Sequence, residues 1–286
     1  MFKRNFVYYL LFIILLSSCS SAPRNPGDID IIRAQAEHWL ETGNKEATRG
    51  NFENALLILT EAKRQAVLVD DISLIVRVCL SKGNVLLSMG RTDEAFSQWE
   101  RAVFEAELLG DRELLAVSKI FLIRGNLTSG REPPQTVLSE VIRESANLRS
   151  NRIFIAFAWQ TRGLALRQLG SFREAEDAFM RSLDIHQRER NLENAAFDWF
   201  SIASIRSLAG NTGGAIEALQ NSIAFDRRIE NSWGLASSYR AMGDVLRRAG
   251  RENEAVTAYL RARAIFTAMG NQYEAAQIDR RILAAN

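Results

Sequence analysis

The chain has 286 residues, of which 47% are hydrophobic, and it contains only four prolines. This composition is compatible with a packed, mostly helical protein. The formal net charge is +2, but Lys3 and Arg4 lie in a segment that we expect to be removed; taking these two from the 36 basic residues leaves 34, equal to the 34 acidic residues. A neutral chain without a basic stripe gives no support for nucleic-acid binding.

Residues 1–18 are typical of a bacterial export signal. Lys3 and Arg4 form a short positive start, and residues 6–16 are an unbroken run of 11 apolar residues. A membrane-spanning helix needs about 20 such residues, so this run is too short to span a bilayer. The segment ends in LSSC at residues 16–19, which resembles the lipobox of bacterial lipoproteins.

The lipobox resemblance implies cleavage before Cys19, a diacylglyceryl group on its sulfur and acylation of its new amine. Several acyl chains would hold the protein stably on a membrane. By the familiar sorting rule, Ser20 does not signal retention at the inner membrane, so we expect the outer membrane, facing the periplasm. Residues 19–28 are rich in Ser, Pro and Gly and are predicted to form a lipid-anchored flexible tether. A plain signal peptide followed by a chance cysteine is the alternative.

From residue 29 onward the sequence repeats with a 40-residue period. Glycine recurs at Gly50, Gly90, Gly130, Gly170, Gly210 and Gly250. Asp or Asn recurs at Asp71, Asp111, Asn151, Asn191, Asn231 and Asn271. An Asp or Asn side chain suits a helix N-cap, and a glycine suits the left-handed residue that ends a helix. The spacing predicts six helix pairs and, over residues 273–285, one terminal helix that caps the stack.

The columns within each unit resemble the tetratricopeptide repeat (TPR). In the fourth unit, Trp159, Gly163, Gly170, Ala175 and Phe179 match its bulky, small, glycine, alanine and bulky positions. The usual TPR period is 34 residues, so a period of 40 predicts longer helices and a capped turn between units. HEAT repeats have a similar period, but paired glycines seven residues apart favour TPR. The resemblance implies an all-α, right-handed α-solenoid over residues 29–286.

The third unit departs from the pattern. Its glycine stands at Gly125 and not at position 123, and its second helix has Gln135 and Ser139 where alanine and a bulky residue are expected. We interpret this either as neutral drift or as a bend that shapes a binding site.

In the second unit Cys79 takes the place of the bulky aromatic residue, and we predict that it is a small buried apolar side chain. With Cys19 lipidated, no intrachain disulfide can form.

In TPR arrays the first helix of each pair lines the concave surface. Helical spacing predicts a groove face formed by Phe157, Gln160, Leu164, Arg167, Phe197, Phe200, Ser204, Arg240, Asp244 and Arg247. The phenylalanines would anchor a partner, and the arginines would pair with its acidic groups. Alternatively, the phenylalanines pack between neighbouring units and the arginines form weak surface ion pairs. The lysines of the TPR carboxylate clamp are not present at matching positions.

The sequence offers almost no candidates for catalysis. His38 and His186 are the only histidines, they fall in different repeats, and they match no metal-ligand spacing. No nucleophile motif or phosphate-binding loop is found. We therefore expect no enzyme activity, no bound metal and no cofactor apart from the covalent lipid on Cys19.

Three functions agree with these features. The first is a membrane-anchored TPR lipoprotein that acts as an interaction scaffold or adaptor in the bacterial cell envelope, with a peptide or envelope protein bound in its concave groove. The second is a small-ligand-binding TPR lipoprotein that works with a transporter. The third is a structural oligomer in envelope assembly, built through the terminal helix. The identity of the partner and the oligomeric state are not encoded in any motif of the sequence.

Overall fold

The computed structural model describes residues 27–283, which form thirteen α-helices and no β-strand. The predicted signal segment and Cys19 lie outside the described residues. The helices, in chain order, are α1 (Asp28–Thr48), α2 (Phe52–Leu68), α3 (Ile72–Ser88), α4 (Thr92–Leu109), α5 (Arg112–Ser129), α6 (Pro134–Ser145), α7 (Arg152–Gln168), α8 (Phe172–Arg188), α9 (Leu192–Leu208), α10 (Thr212–Arg228), α11 (Ser232–Arg248), α12 (Glu252–Ala268) and α13 (Gln272–Leu283).

The helices form six consecutive pairs, α1/α2 to α11/α12, and α13 packs against α12 at the end of the array. In five of the six pairs each helix packs mainly on its partner and then on the neighbouring pair, whereas α5 and α6 of the third pair pack at least as closely on α4 and α7. The predicted all-α repeat solenoid with a terminal helix is confirmed. No helix within residues 27–283 is long and apolar enough to cross a membrane.

The predicted caps and turns define the helix boundaries. The side chains of the Asp/Asn column accept hydrogen bonds from backbone N–H groups up to three residues ahead, at Asp71, Asp111, Asn151, Asn191, Asn231 and Asn271. The six glycines of the 40-residue ladder all adopt the left-handed conformation, with φ between +70° and +82°. This conformation suits glycine because it has no Cβ to clash with the following carbonyl group.

The core depends on small residues that let helices approach closely. A Cβ at Gly163 would lie 2.6 Å from Cε2 of Phe179, so only glycine fits between α7 and α8. In the third unit, Gly125 instead packs against Trp99 of the preceding unit, whose indole also contacts Gly83. The displaced register thus provides room for Trp99, and α6 is only 12 residues long. Cys79 is fully buried, as predicted, and burial raises the pKa of its thiol.

The array curls until its first pair contacts its fifth and sixth pairs. Phe52 and Trp233 meet edge to face with ring centroids 5.4 Å apart. Nη2 of Arg49 lies 3.2 Å from Oε2 of Glu230, and Oγ1 of Thr48 donates a 2.9 Å hydrogen bond to Glu193. These contacts join residues up to 181 positions apart in the sequence. These contacts therefore close the concave face on one side. The repeat pattern by itself does not predict this closure.

Candidate functional site

The enclosed concave face forms a cavity of about 530 Å³. Its wall comes mainly from the first helices of five pairs, α3, α5, α7, α9 and α11, with contributions from α4 and α10. This arrangement agrees with the expected position of first helices in a TPR array. The volume falls in the range of about 300–1,000 Å³ that is typical of small-ligand sites.

Four of the ten predicted groove residues line this cavity, namely Phe157, Phe197, Phe200 and Arg240. Phe157 stacks on Phe121 of α5 with ring centroids 4.1 Å apart, which fixes its orientation. Arg240 forms an ion pair with Glu274 at 2.6 Å, so its charge is already matched. Three of the four predicted residues that line the cavity are therefore phenylalanines.

Gln160 and Leu164 were predicted to lie on the groove face, but they are buried, at 1% and 8% exposure. Gln160 lies between the neighbouring first helices, because it contacts Arg124 of α5 and Asp198 of α9. The close packing of successive first helices buries this part of the α7 surface. Helical spacing alone cannot reveal how closely those helices approach.

The other predicted residues lie beside the cavity. Arg167 donates a 3.1 Å hydrogen bond to Ser204, and burial lowers the pKa of Arg167. Asp244 accepts hydrogen bonds from Tyr259 at 2.7 Å and from Arg281 at 3.3 Å. Ser204 and Asp244 border a smaller depression of about 200 Å³, while Arg247 is half-buried in the last turn of α11. These four residues do not join the central aromatic surface.

Arg124, Glu193 and Asp226 line the cavity but were not among the predicted site residues. The guanidinium carbon of Arg124 lies 4.9 Å from the ring centroid of Phe157 and 5.1 Å from that of Phe197. One nitrogen donates a 3.2 Å hydrogen bond to Oε1 of Gln160. Burial lowers the pKa of Arg124 to about 10, so the group stays protonated at neutral pH. The displaced glycine beside it, Gly125, was the one sequence signal for Arg124, because it shows that the repeat positions of the other units do not apply to the third unit.

A buried polar cluster supports this arginine. Nε2 of Gln160 donates to Oδ1 of Asp198 at 2.9 Å, and Nδ1 of His186 lies 2.7 Å from Oδ2 of Asp198. Burial raises the pKa of Asp198, and the hydrogen bonds from His186 and Gln160 oppose that shift. Ser182 also contacts Nδ1 of His186, at 3.3 Å. Because the serine and the aspartate contact the same ring nitrogen, and all three side chains are buried, they do not form a nucleophile relay.

Two carboxylates line the cavity beyond Phe197. Asp226 is 2% exposed and accepts a 2.6 Å hydrogen bond from Nδ2 of Asn231. Burial raises the pKa of Asp226 to about 7, and the charge of Glu193 contributes in the same direction. The surrounding protein also raises the pKa of Glu193, although its side chain still touches solvent. Within residues 27–283, no group of three or more His, Cys, Asp or Glu side chains could hold a metal ion.

Comparisons with known proteins agree with this architecture. A tetratricopeptide-repeat family profile matches residues 158–188, which contain most of α7 and all of α8. No curated protein matches the chain. The structure is similar to that of the Rap protein complexed with competence and sporulation factor, with a TM-score of 0.59 and 18% identity over 88% of this chain and 74% of that one.

Two further solved structures share the fold. A thermophilic TPR protein of Thermus thermophilus has a TM-score of 0.52 and 19% identity over 73% of this chain and 98% of that one. BtubC from P. vanneervenii has a TM-score of 0.55 and 17% identity over 86% and 93% of the two chains. The caps, glycines and helix pairs of this chain recur every 40 residues, and one of these pairs, α7/α8, matches the tetratricopeptide-repeat profile.

Proposed function

We propose that this chain is a lipid-anchored scaffold of the bacterial cell envelope that binds a segment of a protein or peptide in its central cavity. The observation that carries the binding half is the cavity itself, in which Phe157, Phe197 and Phe200 present aromatic surface beside Arg124. Large aromatic and arginine side chains in enclosed positions are the usual anchors of protein interfaces. The Rap protein offers a parallel, since its structure contains competence and sporulation factor.

The binding half is tested by affinity capture from solubilised envelopes with the full chain. We expect Phe197→Ala to abolish retention of the partner, whereas Phe104→Ala should leave it unchanged. Phe104 is 51% exposed on α4 and does not line the cavity, so it is a matched control for loss of a phenylalanine. If Phe157→Leu, Phe197→Ala and Phe200→Ala all retain the same partner as the unmodified chain, binding in the cavity is wrong.

The envelope half is supported by the sequence of residues 1–19. Mass spectrometry of the chain purified from bacterial membranes tests it: we expect cleavage before Cys19 and a mass increase from acylation. Cys19→Ser should release the protein from the membrane fraction. A chain that begins at Met1, or that stays unmodified at Cys19, would contradict the lipid anchor without affecting the proposal on binding.

Binding of a small ligand is the second candidate, and the enclosure of the cavity favours it. A shallow open groove would suit only an extended segment, but contacts such as Phe52 with Trp233 bound this surface on one side, and its cavity has a volume of about 530 Å³. Thermal shifts of the full chain with a metabolite library would support this candidate. Absence of any shift, together with capture of a protein through Phe197, would leave the scaffold function alone.

A further inference from the structure

The cavity contains charged groups of both signs that do not neutralise one another. Within residues 27–283, no ion pair involves Arg124, Glu193 or Asp226. Arg240, which lines the same cavity, differs because Glu274 matches its charge. Asp226 is buried, Arg124 is half-buried and Glu193 is exposed. A buried charge without an ion-pair partner is costly, so such groups are often kept for a ligand.

The positive group is held in a fixed orientation. Arg124 lies near the rings of Phe157 and Phe197, and its hydrogen bond to Gln160 uses only one of its five N–H donors. Gln160 is itself fixed by its bond to Asp198. The guanidinium group is thus held in place without a direct ion pair, although the charge of Asp198 favours its protonated form. Its remaining donors suit the planar oxygens of a carboxylate.

The negative groups lie farther along the same wall. Glu193 precedes Phe197 by four residues on α9, so the two side chains share a face of the helix and are separated by about 6 Å along its axis. Asp226, on α10, also lines the cavity and interacts electrostatically with Glu193. Burial raises the pKa of Asp226, and no ion pair compensates its charge, whereas Glu193 is exposed and accepts a hydrogen bond from Thr48. An ammonium group would supply that compensation.

We propose that the cavity binds a short peptide with free ends, whose terminal carboxylate pairs with Arg124 and whose terminal ammonium group lies at Glu193 and Asp226. An extended tripeptide spans at most about 10 Å, and Arg124, Glu193 and Asp226 line the same cavity. Its side chains would contact Phe157, Phe197 and Phe200. This inference rests on the proposed function, because it names the class of ligand that the same cavity takes.

The test uses three pools of tripeptides with a mixed central residue: one with free ends, one N-acetylated and one C-amidated. Each pool is incubated with the full chain in detergent, and retained peptides are quantified by mass spectrometry after gel filtration. We expect the free-ended pool to be retained and each blocked pool to be retained at least tenfold less. Equal retention of all three pools, or no retention of the free-ended pool, would overturn the inference.

Variants assign each end of the peptide. Arg124→Gln should remove the preference for a free carboxylate, and Glu193→Gln should weaken the preference for a free amine. Arg124→Lys keeps the positive charge and should retain part of the preference, which separates loss of charge from loss of folding. Arg112→Gln on α5 and Glu252→Gln on α12, both exposed, are matched controls. An unchanged carboxylate preference in Arg124→Gln would overturn the assignment.

Failure of this inference can be distinguished from failure of the proposed function. If a protein is captured through Phe197 but free and blocked tripeptides behave alike, the scaffold function stands and the inference on free ends is wrong. If free-ended tripeptides are retained and both variants change the preference, the inference stands even where no larger partner is captured.

Discussion

Two neighbouring junctions use the same repeat positions differently. One lies between the fourth and fifth helix pairs, and the other lies between the fifth and sixth. At the first junction, Ser182 and His186 of α8 face Asp198 of α9. Forty residues later, the corresponding positions hold Ser222, Asp226 and Ser238. At the first junction the carboxylate belongs to the later pair, as Asp198 of α9. At the second junction it belongs to the earlier pair, as Asp226 of α10, and none of the three positions holds a histidine.

This exchange changes what each carboxylate contacts. Asp198 is fully buried and has two donors, His186 and Gln160, one at each oxygen. Asp226 has the amide of Asn231 and a long contact with Ser222 at 3.4 Å, and it lines the cavity. The first junction is therefore a satisfied structural cluster, whereas the second has a carboxylate at the cavity wall. A single repeat position thus serves packing in one unit and a candidate site in the next.

The other junctions show that neither polar arrangement is required by the fold. The same three positions are occupied by Ala62, Ala66 and Val78 at the first junction and by Ala262, Phe266 and Ile278 at the last. All six of these side chains are fully buried. Since apolar residues suffice to join two units, the polar groups around Asp226 call for a different explanation, which the proposed ligand provides.

The largest effect is expected from Ser238→Asp, which would place a second carboxylate beside Asp226. Ser238 is 1% exposed, and its Oγ lies 3.0 Å from that of Ser222, so the new charge would be buried next to a like charge. Because an uncompensated buried charge is strongly destabilising, we expect the free energy of unfolding at pH 8 to fall by about 4 kcal/mol. Urea denaturation followed by circular dichroism measures it.

Adding Asp226→His to that variant would recreate the arrangement of His186 and Asp198. We expect this second substitution to recover at least half of the lost stability, because the histidine can donate to the new carboxylate. A double variant as unstable as Ser238→Asp alone would show that the two junctions are not interchangeable.

A smaller loss is expected from Asp198→Asn. Asp198 offers an acceptor oxygen to each of two donors, and asparagine can replace only one of them, so either His186 or Gln160 would face an N–H group. We expect the free energy of unfolding to fall by about 3 kcal/mol, since a buried donor is left without an acceptor. Thermal and urea unfolding at pH 7 check this value, and a loss below that of an exposed substitution such as Asp177→Asn would contradict it.

Asp226→Asn should act in the opposite direction. The folded-state pKa of Asp226 is about 7, above its ordinary value of 3.8, so the folded chain keeps a proton that the unfolded chain loses between these pH values. The contribution of this group to stability therefore falls as the pH rises from about 4 to 7. Asparagine removes this dependence and still accepts from Asn231; we expect about 2 kcal/mol of added stability at pH 8 and little change at pH 4.

The measurement is the difference in unfolding free energy between Asp226→Asn and the unmodified chain at pH 4, 6 and 8. It should grow across this range. A difference that is constant with pH would mean that Asp226 is as well compensated as Asp198, and the contrast between the junctions would disappear.

The smallest effect is expected from Glu193→Gln on the titration of Asp226. The charge of Glu193 raises the pKa of Asp226, but burial is the larger cause. Removing that charge should lower the pKa of Asp226 slightly toward its ordinary value. Carboxyl-carbon NMR resolves the change, with Glu252→Gln as the control. A titration that does not move would place Glu193 too far away to share a cation with Asp226.

Much of the fold follows from local signals. A side-chain cap at Asn231 and a left-handed glycine at Gly250 act on residues within a few positions, so their recurrence predicts each helix and each pair. The irregular third unit was also visible, because Gly125 breaks the column. Its cause was not: Gly125 makes room for Trp99 of the preceding unit, and that contact depends on how the units stack.

The site was predicted only in part. Phe157 and Phe197 lie in the cavity as the helical spacing indicated, yet Gln160, on the same face, is buried between neighbouring first helices. Arg124 could not be predicted from the repeat columns, because the third unit does not follow them. Angular position on one helix predicts a face, but the burial of that face depends on the distance to the next helix.

The sequence by itself determined the repeat, the number of helix pairs and the residues at their turns, because these depend on backbone conformation and contacts within or between adjacent units. Only the tertiary structure decided that the array closes on itself, with Thr48 beside Glu193 and Phe52 against Trp233. Closure results from the sum of small rotations between successive units, and no single repeat specifies that sum. The same curvature brings Arg124, Glu193 and Asp226 from three different helices around one cavity.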